Sequence, residues 1–243
     1  MIYANVRRQL TRDDAQLVVR LAGRGSSADA AEAEVVLRDQ GIDPLLDDRR
    51  VLEGLMRTPL GARASWPLFC YVVVRHALRA QGTEDRTLSD YAAAILLHFG
   101  LRDRAQRVSE SDDEVYTTVA QLLEDAEHGD PRRTFLVRTH LGNYALWLGG
   151  LFPDYIEQRR WRRGGPDLGY YDEMGRRGFQ LAADHRLASE HGLRGLYVTI
   201  AEHYAELRLA LNAVSDTLLF PHVHTPERLM RQVRDEGRWR MAS

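Results

Sequence analysis

Helix start and stop signals recur from one end of this chain to the other, and no pair of alternating apolar and polar segments offers a sheet in their place. Thr11 ahead of Arg12-Asp13-Asp14 reads as an N-cap with acids in the first turn. Ser27 ahead of Ala28-Asp29 reads as a second cap, and Gly41 as the stop of a helix over Ala30–Gln40. Asp43-Pro44 starts a helix that carries Leu45, Val51, Leu52 and Leu55 toward a core. Val72-Val73-Val74 alone would suit a strand, but the length of Trp66–Ala80 and the polar Arg75, Arg79 and Gln81 predict a buried helix. Ser89 caps a helix through Ala92–Leu97 that ends at Gly100. Further helices are predicted near Glu114–Glu127, over Pro131–Leu151, after Pro153, from a cap at Asp167 to Glu190, and over Leu193–Asp216 beyond Gly192. Thr225-Pro226-Glu227 has the cap-then-proline form of a last short helix. The expectation is an all-α multi-helix bundle of about nine or ten helices. The polar stretch Leu101–Asp113 either divides it into an N-terminal lobe, 1–100, and a C-terminal lobe, 114–243, or lies within one continuous domain.

Composition removes several chemistries. All of the 33 basic residues are arginine, and lysine is absent. A pyridoxal-phosphate Schiff base, an amine nucleophile, the P-loop lysine and the kinase strand lysine each need an amine that arginine cannot supply. A net charge of −2 with a pI near 6.5 argues against nucleic-acid binding through bulk electrostatics. The single cysteine, Cys70, sits in the apolar run Trp66–Val74 and is read as an inert core thiol. Met1–Asp14 has no apolar core of a secretory signal, and uncharged stretches such as Leu141–Pro153 are too short to cross a bilayer. These features point to the cytoplasm.

Leu141–Phe179 departs most from generic helical sequence. It holds Gly142, Gly149, Gly150, Gly164, Gly165, Gly169, Gly175 and Gly178 with eight aromatic residues. Gly142, Ala145 and Gly149 recur on nearly one helical face, as do Gly175, Gly178 and Ala182 on another. Small residues at this spacing either bring helix axes close together or leave a slot for a flat ligand flanked by Tyr144, Trp147, Tyr171 and Phe179. Close packing is the favoured reading, and it predicts that Gly149→Leu and Gly178→Leu both destabilise the fold.

His76, His98, His140 and His203 fall in or beside apolar helical stripes, with Glu202 and Glu206 near the last. Inward histidines would suit haem or iron, whereas hydrogen-bonded core histidines are the simpler account. Paired Glu-x-x-His motifs are missing, the nearest match being Asp125-x-x-His128. His222-Val223-His224 lacks a third ligand of suitable spacing and reads as a loop, and no metal site is predicted. The carboxylate pairs Asp112-Asp113 and Asp172-Glu173 suit helix starts, and no hydrolase elbow is present. Arg159-Arg160-Trp161-Arg162-Arg163 is the one compact basic patch and is read as a contact loop.

The run Leu141-Gly142-Asn143-Tyr144-Ala145-Leu146-Trp147-Leu148-Gly149-Gly150-Leu151-Phe152-Pro153, followed by Tyr170-Tyr171-Asp172-Glu173-Met174-Gly175, resembles a pattern in a group of uncharacterised bacterial all-helical proteins. The resemblance covers about a fifth of the chain. It implies that the glycine-aromatic segment defines the domain, and it brings no activity, cofactor or catalytic residue with it. With chemistry-bearing motifs missing, the leading reading is a non-catalytic interaction or adaptor protein that meets a protein partner through Arg159–Arg163. One alternative is a haem-oxygenase-like or metal-dependent helical enzyme using the inward histidines. Another is nucleic-acid binding through the same basic loop.

Overall fold

A computed structural model describes residues 1–100, 104–109, 114–127, 129–226 and 228–232. Residues 101–103 and 110–113 of the expected linker, including Asp112-Asp113, lie outside the described residues, as do His128 and Glu227. Helix accounts for 76% of the structure, with no strand among the described residues. Among the described residues the helices number 14, of which 11 are long, more than the nine or ten expected from sequence.

The excess arises because three expected helices are each interrupted by a polar residue. The segment beginning at Asp43 divides into α3 (Asp43–Leu46) and α4 (Arg49–Arg57), because Asp48 leaves the helix and its carboxylate accepts from Arg50 N at 2.8 Å. The segment from Asp167 divides into α10 (Leu168–Ala183) and α11 (Arg186–Glu190) at His185, whose Nδ1 accepts from Leu187 N at 3.2 Å. The segment from Leu193 divides at His203 into α12 (Arg194–Glu202) and α13 (Tyr204–Val214). Side chains that compete for backbone groups make such breaks, and apolar periodicity does not register them.

Contacts group the chain into two compact units, Ile2–Leu97 and His98–Ser243, the latter together with Met1. In the first, α1 (Arg12–Gly23) starts at a reciprocal capping box in which Thr11 and Asp14 satisfy each other's backbone N–H. The cap of α2 (Ser27–Gln40) is Ser26, one residue before the expected Ser27. Gly41, at φ 82°, then turns the chain in a conformation that L side chains avoid. The expected helix at Trp66–Ala80 forms as α5 (Trp66–Ala80), with Leu68, Tyr71, Val72, Val74 and Leu78 at 0% exposure. Each such side chain contributes about 1.5–3 kcal/mol relative to remaining in water. That burial outweighs the strand propensity of the valine run. Helix α6 (Arg86–Phe99) starts ahead of the expected cap at Ser89. Asp85 accepts from Thr87 N and Leu88 N, which leaves Ser89 buried within the helix.

In the second unit Glu114–Thr117 is irregular, and only α7 (Val119–Asp125), capped by Thr118, is helical where Glu114–Glu127 was expected to be. Helix α8 (Pro131–Leu151) is the central element, with α7, α10 and α13 packed against it. It is followed by α9 (Pro153–Arg163), whose C-cap Gly164 sits at φ 63°. A π-type turn over Ser215–Leu219 and a final helical turn at 228–232 complete the unit.

Candidate functional site

The basic patch expected on a loop lies instead on the last turns of α9, and the helix redistributes its residues. Tyr155, Gln158, Arg159 and Arg162 recur at three- and four-residue spacing and share one face. Tyr155 is 53% and Trp161 72% exposed, and Arg160, Arg162 and Arg163 are exposed as well. The exposed Arg160 side chain lies along the helix surface, with its guanidinium 3.9 Å from the buried Glu157 carboxylate and 5.8 Å from the Trp161 ring. Cation–π contact of this kind orders an otherwise free indole.

The start of α9 is clamped by buried charge. Arg228 donates to Asp154 at 2.7 Å and to the carbonyls of Phe220 and Val223 at 2.7 and 2.9 Å. Arg231 pairs with Asp216 at 2.8 Å and with Asp154 at 3.4 Å. Arg228 and Arg231 are 5% and 2% exposed. These contacts tie residues 228–232 to the first turn of α9, and no signal in the sequence spacing pointed to them.

Close approach in the glycine-aromatic segment is specific to particular glycines. A Cβ at Gly178 would lie 2.6 Å from Gly142 N and 3.0 Å from Arg138 O, so the backbones of α8 and α10 meet there. At Gly142 it would meet the Phe179 ring at 2.8 Å, and at Gly175 the Tyr204 hydroxyl at 2.0 Å. Phe179 and Tyr204 thus occupy the space left by the missing side chains. Gly149 differs, since its nearest neighbours would be Leu168 Cδ1 at 3.5 Å and Arg208 Cδ at 3.7 Å, ordinary contact distances. The tight neighbour is Gly150, where Leu211 Cβ would be 2.7 Å away.

The aromatic side chains divide between two settings. Trp147 packs with Phe152, Phe99 and Tyr144 at centroid distances of 4.8, 5.9 and 6.0 Å. Tyr144 on α8, Tyr155 on α9 and Tyr171 on α10 place their phenols near Arg159. Burial first, then the Tyr171 and Tyr155 phenols, push Tyr144 up to about 12, while Arg159 opposes the shift. Burial also raises Tyr171, again opposed by Arg159.

A polar layer lies behind this segment. Arg208 donates to Asp172 at 3.0 Å and to Asn212 at 2.7 Å. Asn212 donates in turn to the carbonyls of Gly149 and Gly150 at 2.8 and 2.7 Å, and Ser215 donates to Leu151 O at 2.7 Å. The last carbonyls of α8, which a helix cannot satisfy by itself, are thereby capped from α13 and the turn after it. Asp172, read from sequence as a helix-start acid, instead balances a buried guanidinium. An open cleft of about 470 Å³ is lined by Glu114, Val115, Tyr116, Gln121, Glu124 and Asp125. Arg133 bridges Glu114 at 2.7 Å and Asp125 at 3.3 Å across it.

In the first unit Arg75, 1% exposed, donates to both Asp47 oxygens at 2.8 and 3.2 Å and to Glu84 at 2.8 Å. Arg86 also reaches Asp47, at 2.6 Å. Burial raises the Asp47 carboxyl, but the two guanidiniums outweigh this and hold it below its ordinary range. Cys70 is buried and its thiol is pushed up to about 12 by burial, so little thiolate forms near neutrality.

The four histidines occupy dissimilar settings. His76 Nε2 lies 3.1 Å from Leu46 O, and burial lowers its pKa. His140 packs between Phe99 and Tyr144 at centroid distances of 5.5 and 6.2 Å. His203, expected within an apolar stripe, sits at the junction of α12 and α13 with Nδ1 3.1 Å from Thr199 O. His98, Glu202 and Glu206 are not drawn into a cluster with these, and among the described residues no three His, Cys, Asp or Glu side chains are grouped to hold a metal ion. His222 and His224 are exposed. Among the same residues no helix is long and apolar enough to cross a membrane. No protein-family model matches the chain, and no curated protein or solved structure matches it significantly.

Proposed function

We propose that this protein is a non-catalytic interaction module that meets a protein partner through the outer face of α9. The observation that carries this reading is the exposure of Trp161 and Tyr155 beside Arg162 and Arg163 on a helix whose first turn is held by a buried ion-pair clamp. Tryptophan, tyrosine and arginine are the residues in which binding energy concentrates at protein interfaces. A helix fixed at one end presents them at little ordering cost.

The reading is tested by affinity capture with the full chain and with a triple variant, Trp161→Ala, Arg162→Glu and Arg163→Glu. The variant is expected to lose a stoichiometric protein partner while keeping the wild-type helical circular dichroism. Unchanged capture overturns the reading. Capture of single-stranded nucleic acid in place of protein, steeply weakened by salt, would replace it.

A further inference from the structure

In the first unit, and independently of the reading of α9, we infer that Tyr71 and Arg75 hold one buried water molecule where α3, α5 and α6 meet, as a fixed member of the Asp47 network. The two residues stand one turn apart on α5 and share a face. Tyr71 is 0% and Arg75 1% exposed. Arg75 Nε and Nη2 are taken up by Asp47 and Glu84. Arg75 Nη1 and the Tyr71 hydroxyl, by contrast, have no hydrogen-bond partner among the described residues.

The contacts around these two atoms form a closed circuit. Arg7 lies over the Tyr71 ring at 5.6 Å and donates to Asp43 at 2.8 Å. Arg86 stands 3.7 Å from the same Asp43 oxygen and donates to Asp47 at 2.6 Å. Asp47 receives Arg75, and α5 leads back from Arg75 to Tyr71. Both orphan atoms thus belong to one cluster. Two buried donors without an acceptor are costly, and internal waters characteristically occupy such positions.

Charge balance selects water over an ion. Three guanidiniums, Arg7, Arg75 and Arg86, meet three carboxylates, Asp43, Asp47 and Asp90. The neighbouring Arg79 and Glu84 pair with each other. A chloride would therefore bring an uncompensated charge into a buried site. Arg75 Nη1 can only donate, whereas the phenol oxygen both donates and accepts, so a single water satisfies both.

The test has two arms. A crystal structure of the full chain grown from bromide is expected to show a water within hydrogen-bonding distance of both Tyr71 Oη and Arg75 Nη1, with no anomalous peak there. A bromide peak overturns the assignment to water, and a site without density overturns the inference altogether. The second arm is the Tm of Tyr71→Phe, which keeps the ring beneath Arg7 and removes only the hydroxyl. Deleting a hydroxyl that truly lacked a partner would relieve a buried polar group and raise Tm. With the water in place, deletion leaves that water one partner short, and Tm is expected to fall by about 2–4 °C. An unchanged or raised Tm overturns the inference.

Discussion

The two units bury arginine in similar ways but bring their helices together differently. In Ile2–Leu97 the junction of α3, α4, α5 and α6 is organised around one carboxylate, Asp47, which receives Arg75 and Arg86. In His98–Ser243 the junction of α8 and α10 is organised around missing atoms, with Gly142 and Gly178 letting two backbones touch. The first arrangement depends on charge and so on pH. The second depends on volume and is indifferent to pH. A buried ion pair depends on keeping both partners in good geometry, whereas a backbone contact near van der Waals distance tolerates no added atom.

Four measurements would break or sharpen this contrast. Gly178→Leu is expected to have the largest effect. Its first added carbon meets backbone and not a movable side chain, so destabilisation should exceed the ~1–3 kcal/mol usual for overpacking, read as a collapse of the urea midpoint. Asp47→Ala should follow at about 3 kcal/mol in urea unfolding, since it leaves the buried Arg75 guanidinium without its main partner.

The third measurement is stability against pH. The folded pKa of Asp47 is lowered, so its contribution is fully present above the unfolded value of roughly 3.9 and is lost as pH falls through the folded value. Wild type should therefore lose stability below about pH 4 more steeply than Asp47→Asn. Equal acid sensitivity in the two proteins would remove Asp47 from this role. The smallest effect is expected at Gly149→Ala. The new methyl finds ordinary contact distances and gains helix propensity, so stability should be unchanged or rise by up to about 1 kcal/mol. A loss comparable to that of Gly178→Leu would show that the small-residue stripe acts as a whole and not through chosen positions.

Much of the helical layout was legible in the sequence because its signals are local. The capping box at Thr11, the stop at Gly41, the cap at Asp167 and the full span of Trp66–Ala80 each depend on residues within a turn or two of one another. The breaks at Asp48, His185 and His203 were missed, because each residue is compatible with a helix until its side chain takes a backbone group. Of the candidate site, the identity of Arg159–Arg163 was visible but not its geometry. Helix α9 lays Arg160 along its surface beside Glu157, with Trp161, Arg162 and Tyr155 outward.

The sequence by itself determined that this chain is helical, that it lacks every chemistry requiring lysine, and that Leu141–Phe179 would need close backbone approach somewhere. Tertiary structure alone decided where. Gly178 and Gly150 face a neighbour at sub-contact distance and Gly149 does not, although all three fall in the glycine-rich segment. It also decided which acids meet which arginines, since Arg208 finds Asp172 across 36 positions of chain and Arg228 finds Asp154 across 74. Helical periodicity reports only the face on which a residue lies. The atom opposite that face is set by the packing of helices distant in sequence.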